Sequence, residues 1–535
     1  MNKYSLVALS VTGGILSGLA WSGWCSGLIL LTAFVPFFLI ENYLSEHRSR
    51  YSPNAFFIYI LPGFLLFSIM SLGWIRMASI VAAICVIAGM TFLMAFTAWL
   101  AHIVRLRSGD ILSVIAIVSF WLGYEYLSLN FDLITPWINL GNGLAKDILF
   151  IQWYEVTGTA GGTLWILSSN LFLSVFLIIS SKGIKHSRRW LYFWILVIVI
   201  PSILSVSRFV IIKSDAVKET EVVIVQPNFD PYMEKFRIPF EEQLEKVIGM
   251  AESAVSDKTE WLITPETTID DPVNENDMSN NKYIKMVMEL VKRYPRLTVV
   301  AGMTTYKKYP PSSAPPTRSA RETGTAHAWY DHFNSAVQID SDDTIHIYHK
   351  SKLVPGIEKQ FASGTGRVLG KLLPYLGGSQ WGYGTQKERA CFIHSENGIK
   401  IAPVICYESV FGKYLTGYVK NGASAFFIIT NDGWWKNTNG YKQHLHFASI
   451  RAIESRRPVA RAANTGISCT IDIKGRIFNK SEWWKEEIIT AGIFPGNKIT
   501  PYVRYGDYLM LVGSISGILV LIIVFIGLPI RKKFK

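Results

Sequence analysis

The sequence predicts a two-part membrane protein, an eight-helix transmembrane bundle joined to an extracytoplasmic α/β domain of layered sheet and helix. Three observations predict it. The chain has 535 residues, several times the length of a single domain. Half of the residues are hydrophobic and 17% are charged, against about 25% charged in soluble chains, and the mean hydropathy is +0.25. The apolar segments also crowd to the two ends and leave a polar middle from about 214 to 505. An ordinary cytosolic enzyme, a disordered chain and a disulfide-stapled module are excluded by this composition. The formal charge of +13 fits basic residues at membrane edges better than nucleic acid, since no recognition motif accompanies it. Five scattered cysteines, Cys25, Cys85, Cys391, Cys406 and Cys469, form neither a disulfide framework nor a paired zinc site.

Taken in order, residues 5–40 carry no charge and make two helices if the chain breaks near Trp21-Ser22-Gly23-Trp24. A crossing needs roughly 20 apolar residues, and further spans are predicted at 55–72, 78–104, 111–126, 162–180, 190–210 and 508–529. Further spans follow the first directly, so it is not a cleaved signal peptide. Basic residues mark alternate loops: His47, Arg48 and Arg50; Arg105 and Arg107; Lys182, Lys185, Arg188 and Arg189; and finally Arg531, Lys532, Lys533 and Lys535. With positive loops inside, both termini are cytoplasmic and the polar middle lies outside. The predicted domains are therefore 1–213, a seven-helix membrane domain; 214–505, the outer domain; and 506–535, the eighth helix with a basic tail.

Within the outer domain, 222–225, 261–264, 298–301 and 425–430 have the short apolar pattern of buried strands. Helical patterns at 239–253 and 283–293 separate the first three, so a layered sheet is expected. Segments 310–324 (Pro, Ser, Thr and Arg) and 367–386 (Gly and Leu) read as insertions, the second as a loop that touches the bilayer.

Three strand-end islands carry chemistry: Leu262–Glu266 (Leu-Ile-Thr-Pro-Glu), Tyr348–Glu358 with Lys350, and Val404–Glu408 (Val-Ile-Cys-Tyr-Glu). Strand ends are where side chains of α/β folds converge. A thiol is nucleophilic only as thiolate. A carboxylate such as Glu266 can take its proton and return it to a leaving group. A lysine such as Lys350, with the backbone N–H of Tyr407, can stabilise a thiolate and then an oxyanion. Taken singly, Cys406 is a core residue, Glu266 a helix cap and Lys350 a loop charge; taken together they make an acyl-transfer set.

In these contexts the order Glu266, Lys350, Cys406 resembles the nitrilase (carbon–nitrogen hydrolase) superfamily, which places a Glu-Lys-Cys triad on an α-β-β-α sandwich. With seven spans before the domain and one after, the chain resembles the superfamily's membrane branch, the bacterial apolipoprotein N-acyltransferases. Matching islands include Gln226-Pro-Asn228, Phe333–Ala336, Thr430–Trp435, Gln443-His444, Arg451–Gly466 and Tyr502–Asp507. The resemblance implies Glu266 as general base, Lys350 as oxyanion stabiliser, Cys406 as the acylated nucleophile and Glu358 as a second essential glutamate. Tyr407 and Glu408 would order the pocket. Asn431, Trp434 and Trp435 would contribute to the substrate wall. In family members a tryptophan after the Gln-x-Asn island helps form a mobile gate; here the nearest aromatics are Tyr232 and Phe236. The loop after the lysine departs from the family, reading Pro355-Gly-Ile-Glu-Lys359 where Pro-Phe-Gly-Glu-Tyr is usual, but it keeps the carboxylate.

The implied reaction moves a fatty acyl chain from the sn-1 ester of a phospholipid, commonly phosphatidylethanolamine, through a Cys thioester. The acceptor is the N-terminal amine of an S-diacylglyceryl-cysteine apolipoprotein, the last step of lipoprotein maturation. The expected setting is a monomer in the bacterial inner membrane with its catalytic domain in the periplasm, without cofactor or nucleic acid. No metal is expected, since His444 and His446, two apart on a helix, face different ways. Arg451, Arg456 and Arg461 are expected to pair internal carboxylates. The rival readings are a membrane-tethered amidase and, in another class, a transporter or receptor with an inert outer domain. The second calls for charges buried near mid-membrane, of which the predicted spans have few, Glu125 standing at a span end.

Overall fold

The computed structural model describes residues 1–214, 218–235, 237–324, 328–355, 357–359 and 382–527. It divides into two compact units, one of Met1–Arg76, Ile80–Ile212 and the described residues from Tyr505 onward, the other of Met77–Ser79 and Lys213–Arg504. Phe236, Gly356, most of the 367–386 insertion and the basic tail from Arg531 lie outside the described residues.

The first unit is a bundle of apolar helices. Seven stretches among the described residues are long and apolar enough to cross a membrane: Gly27–Glu46, Asn54–Met77, Ile80–Ser108, Asp110–Asn130, Thr159–Ser181, Ser187–Ile211 and Tyr508–Ile526. The eighth predicted span, Lys3–Leu19, has 17 residues, short of the roughly 20 of a full crossing. By length alone seven of the eight predicted helices qualify, and Lys3–Leu19 is the remaining apolar helix of the bundle. The chain does break where predicted, between Leu19 and Gly27. The short helix nonetheless packs closely against Asn54–Leu72, since a Cβ on Gly14 would stand 2.2 Å from the Gly63 carbonyl oxygen. Small residues let membrane helices approach in this way.

Two side chains repair backbone breaks inside the bundle. Pro36 opens the helix Val35–Glu46, and Asn170 of Thr159–Ser181 accepts from the freed N–H groups of Phe34 (2.8 Å) and Val35 (3.0 Å). Backbone groups without water need such partners. Glu125 is not at the end of its helix, which continues to Asn130. Its buried carboxylate accepts from Leu140 N–H and from Thr163 Oγ1, each at 2.7 Å. The charge that the sequence puts at a span end is thus a structural tie within the bundle.

The second unit carries fourteen named strands among the described residues: β1 Thr220–Gln226, β2 Trp261–Ile263, β3 Ile269–Asn274, β4 Thr298–Tyr309, β5 Arg321–Glu322, β6 Trp329–Ile339, β7 Ile345–His349, β8 Phe392–Ile393, β9 Lys400–Ile405, β10 Ala425–Thr430, β11 Val459–Ala463, β12 Cys469–Ile471, β13 Ile477–Phe478 and β14 Glu487–Ile493. They form two sheets. One runs β14-β1-β2-β4-β6-β5, with β3 on β4 and β7 on β6; the other runs β13-β12-β11-β10-β9-β8. The sheets face each other through β1 and β11 and through β6 and β9, and Trp261 meets Phe427 edge-on across the interface at 5.2 Å. Helices Phe240–Glu252 and Lys282–Arg293 cover the first sheet, and Gly412–Lys420 and Asn439–Ser455 the second. The result is an α-β-β-α sandwich.

Local sequence explains these layers. In Lys282–Arg293, Tyr283, Ile284, Val287, Met288, Leu290 and Val291 are buried, an apolar stripe at helical spacing, and Asn281 caps the start by accepting from Tyr283 N–H at 2.9 Å. All six residues of β10 are buried, as expected of a parallel strand covered on both faces. The strand predicted at 298–301 runs on to Tyr309, because β6 pairs with it along eleven register positions. The 310–324 insertion is mostly exposed; Trp329 Nε1 donates to Ser312 O and Thr317 Oγ1 to Asp331 Oδ2.

Candidate active site

Strand direction assembles the site. β1, β2 and β4 are parallel, β6 is antiparallel to β4 and β7 antiparallel to β6, so β2 and β7 end on the same side. β9, β10 and β11 are parallel in the facing sheet. Glu266 follows β2, Lys350 follows β7 and Cys406 follows β9, all at carboxyl ends, where ligands collect in α/β sheets.

These three residues, distant in sequence, meet. Lys350 Nζ donates to Glu266 Oε1 at 2.9 Å and to Glu358 Oε1 at 2.9 Å. The Cys406 thiol lies close enough to the Glu266 carboxylate for each to act on the other's charge, and Thr430 at the end of β10 adjoins it. Their exposures are 7%, 1% and 8% for Glu266, Lys350 and Cys406, so water screens little of their charge. Burial pushes the Glu266 carboxyl up, but Lys350, Asn334 and Cys406 outweigh it and hold it below the ordinary range. Burial lowers Lys350, and the Glu266 and Glu358 carboxylates reverse this and raise it well above its usual value. Burial and the Glu266 charge push the Cys406 thiol well up against the pull of Lys350. The resting site therefore holds a thiol, a carboxylate and an ammonium.

The glutamates that support this arrangement have distinct places. Glu358 accepts through Oε2 from Val354 N–H at 2.8 Å, which closes the loop after Lys350. Glu408 is buried and accepts from Tyr348 O–H (2.6 Å), Ser351 N–H (2.7 Å) and Ile405 N–H (2.9 Å). It thereby ties the end of β9 to the loop after Lys350. Burial raises its carboxyl.

Backbone strain concentrates here. Cys406 has φ +48°, Thr267 +52° and Asn228 +57°, left-handed conformations that cost a residue with a Cβ about 1–2 kcal/mol. Such strain persists where the surroundings over-determine it. At Thr267 the buried Lys235 does so, donating to the Thr267 carbonyl at 3.0 Å. At Gly302 there is no room for a side chain, since a Cβ would lie 2.3 Å from Pro265 O and 2.5 Å from Glu266 Cα.

The other sequence candidates divide. Asn431 joins the site through its backbone, its N–H donating to Glu266 Oε2 at 3.2 Å. Tyr232 and Trp434 pack together, edge-on at 5.3 Å, and Tyr232 O–H donates to Trp434 O at 2.7 Å. Trp435 sits edge-on against His444 at 5.4 Å. Tyr407 meets Phe411 edge-on at 5.1 Å. Of the arginines, Arg461 pairs with Asp432 and Arg451 with Glu454, while Arg456 donates to Ile473 O at 2.8 Å.

Sequence reasoning gave no role to two groups. Asn334 Nδ2 donates to both Glu266 Oε1 (2.8 Å) and Glu358 Oε1 (2.9 Å); its signal was its place in the Phe333–Ala336 island. Lys235, which lies near Asp270 at 3.9 Å, carried no signal, because nothing in its local sequence announces that it is buried.

The sequence pattern of the carbon–nitrogen hydrolase family matches residues 221–497, more than half of the chain. That of the apolipoprotein N-acyltransferase N-terminal domain matches residues 13–172. The chain is 27% identical over 524 residues to the apolipoprotein N-acyltransferase of Chlorobaculum tepidum, with 96% of each chain covered. It is 23% identical over 431 residues to that of Geobacter metallireducens, covering 78% of this chain and 75% of that one. A solved structure from Saccharomyces cerevisiae, a member of branch 10 of the nitrilase superfamily, aligns at 14% identity with a TM-score of 0.37, over 54% of this chain and 92% of that one. The chain is a multi-pass membrane protein that belongs to the carbon–nitrogen hydrolase family, in the branch carrying the apolipoprotein N-acyltransferase N-terminal domain.

Proposed function

We propose that this chain is an apolipoprotein N-acyltransferase that moves a fatty acyl group from a membrane phospholipid to the N-terminal amine of a diacylglyceryl apolipoprotein. Two matching halves favour this over a tethered amidase: a single span suffices for a tether, whereas here the membrane half itself matches the acyltransferase N-terminal domain. The observation that carries the chemistry is the buried Cys406 thiol against the Glu266 carboxylate, with Lys350 held between two glutamates.

In the first half-reaction Glu266 takes the thiol proton as Cys406 Sγ attacks the sn-1 ester carbonyl. Lys350 Nζ and the Tyr407 N–H stabilise the tetrahedral oxyanion. The intermediate collapses to a thioester, and the lysophospholipid alkoxide leaves with the proton from Glu266. In the second, the acceptor amine attacks the thioester, Glu266 removes its extra proton, and the amide forms as the Cys406 sulfur departs and regains a proton. Glu358 and Asn334 keep Lys350 and Glu266 aligned, Glu408 orders the pocket, and Tyr232, Trp434 and Trp435 line the substrate path.

Both reactants are lipids of one leaflet. Extracting a chain into water costs about 0.8 kcal/mol per CH₂, which a membrane enzyme avoids. The donor is phosphatidylethanolamine and the protein acts as a monomer. Counting Lys3–Leu19 as a crossing puts both termini in the cytoplasm and residues 214–505 in the periplasm of a bacterial inner membrane, in line with the basic loops.

The test incubates the purified protein with acyl-labelled phospholipid. A hydroxylamine-sensitive label on Cys406, absent in Cys406→Ala and discharged by a diacylglyceryl-cysteine peptide, is expected. Discharge to water alone, with turnover of a small amide, would overturn the reading.

A further inference from the structure

Beneath Cys406 lies a second buried polar cluster that the reaction above does not use. His444, on the helix Asn439–Ser455, places Nε2 3.2 Å from the Cys406 carbonyl oxygen and 2.8 Å from Ser409 Oγ. Ser409 Oγ donates to the same carbonyl at 2.7 Å. A carbonyl only accepts, so Nε2 carries a hydrogen and donates. On the other edge of the ring, Nδ1 lies 3.0 Å from Asp432 Oδ1. Asp432 Oδ1 also accepts from Thr430 Oγ1 at 2.8 Å, and Oδ2 pairs with Arg461, whose other terminal nitrogen donates to the Ile467 carbonyl. Ser409, His444, Asp432 and Arg461 are each 0–1% exposed.

Burying such a cluster carries a large desolvation penalty and is a poor source of stability, so its use is to be sought in geometry. Its inner end grips one atom, the carbonyl oxygen of a residue held at φ +48°. Released, Cys406 would relax toward an ordinary backbone conformation and swing its sulfur from Glu266.

We propose that His444 and Ser409 clamp the Cys406 carbonyl and so hold the nucleophile in its left-handed turn, with Asp432 and Arg461 fixing the orientation of the His444 ring. All four are positioning residues, acting on the reacting sulfur only through the backbone of Cys406. The proposal rests on the reading of Cys406 as the nucleophile.

The test uses the full-length protein in phospholipid–detergent micelles, as wild type, His444→Ala, His444→Gln and Ser409→Ala. Three quantities are read: the single-turnover rate of Cys406 acylation, the KM for labelled phospholipid, and the rate of Cys406 alkylation by iodoacetamide from peptide mass spectrometry. Circular dichroism checks folding. His444→Ala is expected to lower acylation and alkylation about 10²-fold, the usual effect of a displacement near 1 Å. KM is expected to change far less than the two rates, since the substitution reaches the substrate path only through the edge contact with Trp435 described above. His444→Gln, whose amide can donate to the same carbonyl, is expected to recover at least about tenfold of that loss. Ser409→Ala is expected to lower both rates about tenfold.

Wild-type rates in His444→Ala, a loss confined to KM, or a folded His444→Gln no faster than His444→Ala would overturn the clamp. If His444→Ala does not fold, wild-type rates in Ser409→Ala and His444→Gln would overturn it equally. Failure of the wild type to acylate would instead overturn the acyl-transfer reading, while the alkylation rates still decide on the clamp.

Discussion

At rest Cys406 keeps its proton and Glu266 lacks one, and the two half-reactions should therefore respond differently to pH. The Glu266 carboxyl is held below its ordinary 4.5. Acylation needs the carboxylate, so its rate is lost only as pH falls below that value. On the alkaline side Lys350 is raised and stays charged, which predicts a flat acylation rate across neutral pH. Transfer to the amine instead climbs through about 7.7–8.0, where a free α-amino group loses its proton. Single-turnover rates of each step against pH check this; an acylation rate that rises from pH 6 to 8 would mean that free thiolate, not Glu266, drives attack. Lys350→Met should lower acylation by at least about 10²-fold, as loss of an oxyanion donor does, and leave Glu266 and Glu358 facing each other. Asp432 also links pH to stability. Burial opposes its charge, but Arg461 and His444 hold its carboxyl at about 2 against an ordinary 3.8. That depression contributes about 2 kcal/mol above pH 3.8, lost as pH falls from there through 2, to be read from denaturant unfolding between pH 5 and 2.

The elements matter through where they end. β2, β7 and β9 each deliver one group, and each terminus is fixed by contacts that no local pattern announces. Glu266 is the clearest case: the turn that carries it lies directly on Gly302 of β4. Gly302→Ala should push that turn aside and lower acylation about tenfold or more while circular dichroism and membrane insertion hold. A wild-type rate would mean that the turn yields freely. The 310–324 insertion makes the opposite prediction. Its tip at 311–316 is exposed, so replacing that tip with a short Gly-Ser linker should leave acylation and KM within about twofold. Strand cores and amphipathic helices were legible because periodicity records burial. The eleven-residue pairing of β4 with β6 and the length of the Asp110–Asn130 helix were not, because pairing partners set where those elements stop.

On the scale of the molecule, the proposed orientation rests on charge, since alternate loops carry the lysines and arginines. In a background lacking the natural cysteines, a cysteine at Arg50 should react with an impermeant thiol reagent only after spheroplasts are permeabilised. One at Glu396, exposed in the outer domain, should react without permeabilisation. The reverse pattern, or equal labelling, would overturn the topology and with it the parity assigned to Lys3–Leu19. That helix is the point at which length and packing disagree: it is too short by the usual rule, yet glycine-to-glycine contact seats it in the bundle.

The amino-acid order determined the division into an apolar helical part and a polar α/β part, the strand-end islands and the choice of Glu266, Lys350 and Cys406 as candidates, because hydropathy, charge and side-chain chemistry are properties of single residues and short windows. Tertiary structure decided which partners those residues meet. Asn334 bridging two glutamates, Lys235 behind Thr267, Glu125 tying the bundle and His444 under Cys406 are contacts between residues 15 to 68 positions apart. Such contacts arise only when sheets stack and helices pack, since burial and distance in space are not encoded at any one position.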